Sequence, residues 1–86
     1  MNIEVNEVEK IREIIAEILE VEVSEVEMDT DLVEELDADS MMALEIMATI
    51  ENEMGVKISE KDFPKFGTLR EILDVINTVK SSKLYV

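Results

Sequence analysis

The chain has no histidine and no cysteine. The first absence removes the imidazole of Ser–His and Cys–His nucleophile pairs, and with it the commonest neutral metal ligand. The second removes disulfides, thiolate metal sites and any thiol of the polypeptide's own. A reaction that needs sulfur must therefore take it from a group the chain does not encode. Glycine is almost as scarce, with only Gly55 and Gly67, and Pro64 is the one proline. No phosphate-cradling glycine loop can be built from these. So few breakers point away from a many-turned β fold and toward helices with short connections. Aromatic residues make up 3% of the chain, so aliphatic side chains and 6 methionines must fill the core. No apolar run approaches the roughly 20 residues of a membrane span, and no basic leader precedes an apolar stretch. A cytoplasmic setting is expected.

Carboxylates and hydroxyls are the chemistry that remains. An enzyme is not expected from these alone, and neither is a metal centre. A calcium-binding loop fails on its pattern. Counted from Asp29, the fifth and sixth positions are Val33 and Glu34; counted from Asp37, the fifth is Met41. Such loops need oxygen ligands and a glycine there.

What the chain has in excess is negative charge. Its 22 acidic and 8 basic residues give a net charge of −14. Clustered Lys and Arg for nucleic acid are absent. The imbalance is local. From Glu13 to Val56 there are 15 acidic residues and no Lys or Arg, a net of −15; the remaining 7 acidic and 8 basic residues sum to +1. Such a block either solubilises the surface or steers a basic partner.

With 86 residues the chain is expected to form one domain over 1–86, with ends frayed at about 1–4 and 81–86. Val8, Ile11, Ile15, Ile18 and Leu19 form one stripe and predict a helix over Val5–Leu19. Val21–Leu36 is less regular and predicts a long loop anchored by Val26, Met28, Leu32, Val33 and Leu36, with Thr30 capping a short turn. A second helix is predicted from near Asp39 to Met54, stopped by Gly55. A short third element begins at Ser59, with Phe63 and Phe66 as apolar anchors. Thr68 and Glu71 make a capping box for a last helix carrying Leu69, Ile72, Leu73, Ile76 and Val79. The expected fold is all-α: a small four-helix bundle of three main helices and one short one, with a long loop between the first and second.

The second helix has two apolar stripes. Ile46, Ile50 and Met54, with Ala43 and Met47 alongside, suffice for a core. Met41, Leu44 and Ala48 form another stripe, turned well away. Either the first helix and the loop cover both, or the second stripe docks a partner, with Asp39, Glu45 and Glu51 fringing it.

Ser40 stands where the loop becomes this helix. Taken singly, a serine there is an ordinary cap. Its setting, Leu36-Asp37-Ala38-Asp39-Ser40-Met41, resembles the L-G-A-D-S-L attachment motif of acyl carrier proteins. The order of the other segments is similar too: an amphipathic first helix, an acidic loop, Glu45 and Glu51 on the second helix, Ile58, a short element over Ser59–Phe66 and a Thr-capped last helix.

The resemblance implies a covalent 4′-phosphopantetheine, moved from coenzyme A to Ser40 by a phosphopantetheinyl transferase. The arm's thiol would hold acyl groups as thioesters and deliver them to enzymes of fatty acid or specialised lipid and polyketide synthesis. By the same resemblance Asp39 and Met41 assist the transferase. Met41, Met42, Leu44, Glu45, Ala48 and Glu51 face acyl-transferring, ketosynthase or ligase enzymes with basic patches. Ile46, Met47, Ile50, Met54, Ile58, Phe63, Phe66 and Leu69 line the core that shelters the acyl chain, and the carrier is a monomer.

Three departures stand out. Asp37 replaces the family glycine, which predicts a different turn. Met42 replaces a common Asp, enlarging the apolar patch. Phe63 replaces a small residue and narrows the cargo space, pointing to a specialised carrier. Two alternatives stay open: an aminoacyl carrier of the D-alanyl or peptidyl type, and an unmodified acidic adaptor that binds partner helices.

Overall fold

The computed structural model describes residues 5–58, 61 and 67–82. These contain three α-helices, α1 (Val5–Leu19), α2 (Ser40–Met54) and α3 (Leu69–Ser82), with a 3-10 turn at Val23–Glu25 and no strand. The all-α bundle expected from the sequence is present. The short element expected over Ser59–Phe66, with Phe63 and Phe66, lies outside the described residues apart from Lys61. Helix α3 runs through Ser82, two residues into the stretch expected to fray.

Each helix buries the stripe its spacing defined. Ile11, Ile15, Ala16 and Leu19 of α1 meet Ile46 and Ile50 of α2 and Leu69, Ile72, Leu73, Val75 and Ile76 of α3 in one core cluster. Each Ile or Leu removed from water there stabilises the fold by about 1.5–3 kcal/mol. Val8, Ile14 and Ile18 border the cluster from α1. A Lys80–Glu7 ion pair links the ends of α3 and α1.

Helix α1 ends in a Schellman turn. The Val21 N–H donates to the Ala16 carbonyl at 3.0 Å and the Glu20 N–H to that of Glu17 at 3.3 Å. The residue that must turn left-handed is Glu20, with φ 59°. Glycine takes that conformation without steric cost, and a carboxylate at a helix C-terminus opposes the dipole. Glu20→Gly should therefore raise stability by about 0.5–1 kcal/mol, measured by urea unfolding. At the end of α2 the left-handed residue is Gly55, with φ 66°, whose N–H donates to the Glu51 carbonyl at 3.0 Å.

The long loop is pinned to the core by Val26, Leu32 and Ala38. Two expectations for it need correction. Thr30 does not cap the turn over residues 32–36. Its hydroxyl accepts from the Glu27 N–H at 3.2 Å, one turn earlier. The cap is Asp31, whose Oδ1 accepts from Val33 N–H at 3.1 Å and Glu34 N–H at 2.9 Å. Its carboxylate, one bond longer than the Thr hydroxyl and one position closer, reaches both donors. Val33 is also not an anchor: neighbouring residues in this turn point apart, so Leu32 enters the core and Val33 stays 53% exposed.

Helix α3 holds this loop at its start. The Leu32 N–H donates to the Gly67 carbonyl at 2.9 Å and the Arg70 N–H to that of Met28 at 3.0 Å. The Arg70 guanidinium grips Asp29 with two hydrogen bonds, Nε to Oδ1 at 2.7 Å and Nη2 to Oδ2 at 3.1 Å. The hydrogen bond and charge of Arg70 hold the Asp29 carboxyl below its ordinary range. A depressed folded pKa stabilises above the unfolded value and is lost as pH falls through the folded one. Asp29→Asn should thus melt lower than the parent at pH 7. The gap should close on acidification below the usual carboxylate range, read from paired melting curves.

The capping box of α3 is shifted. Thr68 Oγ1 accepts from the Glu71 N–H at 3.1 Å, but Glu71 Oε1 reaches back to the N–H of Gly67, at 3.2 Å.

Candidate functional site: the loop–helix junction at Ser40

The junction is fixed from beneath by a small residue. Ala38 is buried and its N–H donates to the Leu32 carbonyl at 2.9 Å. Before it, Asp37 has φ 59°. Asp37 occupies a left-handed conformation that glycine adopts freely and that Asp, among side-chain-bearing residues, tolerates best. A glycine at this position could hold the same backbone state.

Asp39 is the N-cap of α2. Its backbone is extended (φ −121°, ψ −179°) and its Oδ1 accepts from the Met42 N–H at 2.9 Å. The Ala43 N–H donates to the Asp39 carbonyl at 3.0 Å. Capping therefore belongs to Asp39 and not to Ser40. Ser40 is the first helical residue, exposed, and its hydroxyl has no hydrogen-bond partner among the described residues. The N–H groups of Ser40 and Met41 lie in the first turn, ahead of the intrahelical ladder. A hydroxyl at that place is open to a modifying enzyme. A phosphodiester formed on it would face N–H donors and the positive end of the helix dipole.

Along α2 the two stripes separate. Ile46 and Ile50 are buried, and Met42, Met47 and Met54 are half-buried against the cluster. Ile58 and Leu69 join the same core. On the other side Met41 is 73% and Leu44 49% exposed, with Glu45 and Ala48 exposed beside them. Neither α1 nor the loop covers this second stripe. Met42 packs on the core, so it adds less to the outer patch than its position suggested. Glu51 is half-buried, and its Oε2 accepts from the Ile58 N–H at 2.7 Å across the Gly55 turn. It therefore fastens the segment after α2 as well as bordering the stripe. No sequence pattern announced that bond, because its seven-residue span closes only through the left-handed Gly55. Phe63 and Phe66 fall outside the described residues. Among the described residues no helix is long and apolar enough to cross a membrane.

Comparison with known proteins identifies the family. A family model described as a phosphopantetheine attachment site matches residues 9–76. The chain is 37% identical over 70 residues to the polyketide-8 synthase acyl carrier protein 2 of Streptomyces avermitilis, spanning 81% of this chain and 80% of that protein. It is 35% identical over 69 residues to the acyl carrier protein of Thermosynechococcus vestitus, spanning 80% and 85%. The prosthetic group supplies the thiol that a chain without cysteine lacks, and this chain belongs to the acyl carrier proteins, which bear acyl groups on 4′-phosphopantetheine.

Proposed function

We propose that Ser40 is the attachment point of the arm, and that the chain carries acyl intermediates of the fatty acid or polyketide type without catalysing their chemistry. The observation that supports this most directly is the division of labour at the junction. Asp39 satisfies the cap, which leaves the Ser40 hydroxyl exposed at the helix start. In the transfer, Ser40 Oγ attacks the arm-side phosphorus of the coenzyme A pyrophosphate. A new P–O bond forms, the pyrophosphate P–O bond breaks, adenosine 3′,5′-bisphosphate leaves and the serine proton passes to a base of the transferase. Asp39 holds the helix start, and the first-turn N–H groups favour the resulting phosphodiester charge. The chain has neither the imidazole nor the thiol on which acyl transfer most often relies. Its part is to hold the arm, expose it and dock.

Met41, Leu44, Glu45 and Ala48 make the docking face for enzymes with basic patches, with the outer edge of Glu51 at its border. Charge gives fast, reversible encounter, and the tether raises the cargo's effective concentration at each active site. The polyketide and general acyl carrier relatives both fit this cargo class. The replacement of a small residue by Phe63 in the sequence favours a specialised carrier within it. The test is incubation with a broad-specificity phosphopantetheinyl transferase and coenzyme A, followed by intact mass measurement. The parent gains one arm and Ser40→Ala gains nothing; an unchanged parent mass would sink the assignment.

A further inference from the structure

We infer that Val33, on the acidic loop, is a specificity-determining contact for the enzymes that act at Ser40, extending the docking surface off α2 and onto the turn beside it; this rests on the Ser40 assignment above. A single exposed valine means little by itself. Its placement is what distinguishes it. Among the described residues the large exposed apolar side chains are Val23, Val33, Met41 and Leu44. Met41 and Leu44 flank Ser40 on α2. Val33 approaches it from the loop, because the Ala38 N–H donates to the carbonyl of Leu32, the residue before Val33. Bond lengths and Cα spacing then confine the Cα atoms of Val33 and Ser40 to within about 15 Å of each other. A standard protein–protein footprint covers about 800 Å² per partner, a disc roughly 16 Å in radius. A footprint of that size centred on Ser40 is wide enough to take in Val33.

The turn is also held in place. Asp31 fixes the Val33 N–H through Oδ1, and Leu32, buried, donates to Gly67 at the start of α3. Val33 is thus presented at little ordering cost on binding. Exposed Glu34, Glu35, Asp37 and Asp39 surround it in the chain. The occupant that fits is an enzyme surface with an apolar recess ringed by Lys and Arg.

The experiment compares arm loading of Val33→Asp, Val33→Ala and Val23→Asp with the parent, using the transferase, coenzyme A and initial rates by intact mass. Val23 is the control, an exposed valine on the 3-10 turn that packs beside α1. A contact made on docking shows in KM and not in kcat. Val33→Asp should lower kcat/KM about tenfold and Val33→Ala about three- to fivefold, both through KM, with circular dichroism and melting unchanged. Val23→Asp should load like the parent. Loading of both Val33 variants within twofold of the parent would overturn the inference while leaving Ser40 assigned. Equal impairment by Val23→Asp would also overturn it, since the effect would then be general charge. A parent that gains no arm would overturn the Ser40 assignment itself.

Discussion

Ile50→Ala should cost about 3–4 kcal/mol, while Leu44→Ala on the same helix should cost no more than about 0.5 kcal/mol. Ile50 is fully buried and Leu44 is half in solvent. Removing three carbons from Ile50 forfeits their transfer energy and leaves a void in the core cluster that a small core cannot close. At about 0.05–0.15 kcal/mol per residue, a domain of this size holds roughly 4–13 kcal/mol in total. Its concentrated negative charge places this chain in the lower part of that range. Ile50→Ala then removes much of what exists, and the melting temperature should fall by about 15–25 °C. Urea titration with an unchanged slope would show a pure stability effect. Equal losses from the two substitutions would mean that the outward stripe is as buried as the inward one, and the docking face would have to be abandoned.

The second large effect is on encounter. Glu45→Lys should lower kcat/KM for arm loading about tenfold at low salt, with the folded state as stable as the parent or more so. Glu45 is exposed on α2, five residues beyond Ser40, inside a stretch with no positive side chain. Reversing its sign puts a cation where a basic patch must approach. At 0.1 M ionic strength charges are screened over about 10 Å, and at 1 M over about 3 Å. The deficit should therefore shrink steadily with added salt. A deficit that persists at 1 M salt would mean that Glu45 makes a specific contact and is not part of a steering field.

Much of this was legible in the sequence because helices write their period into it. The core stripes of α1 and α3 each alternate cleanly with charge, and the stop at Gly55 and start at Thr68 are local chemistry. In α2 the pattern showed two apolar faces but could not say which was covered, because covering is done by other elements. The loop was the hardest part for the same reason. Leu32 and Val33 are adjacent and equally apolar. What sorts them is a hydrogen bond from Leu32 to Gly67, 35 residues away. Thr30 and Asp31 are both competent caps, and the choice between them follows from where the Glu27 N–H points. Asp37 is a further case. Its left-handed backbone, which no sequence pattern announced, is one that Asp tolerates and glycine adopts freely. The candidate serine stood out by its neighbours, and only the geometry showed that its hydroxyl is excused from capping.

That last point bears on the protein's use in a multi-enzyme system. Because Asp39 holds the helix start, taking the hydroxyl from residue 40 leaves the helix, the apolar stripe and the acidic rim as they were. On the proposed assignment of Ser40, the Ser40→Ala chain should act as a decoy. It should meet the same enzymes at the same rate, occupy their docking sites and deliver nothing. Supplied in excess, it should throttle every step that depends on the loaded carrier and spare those that use free coenzyme A thioesters.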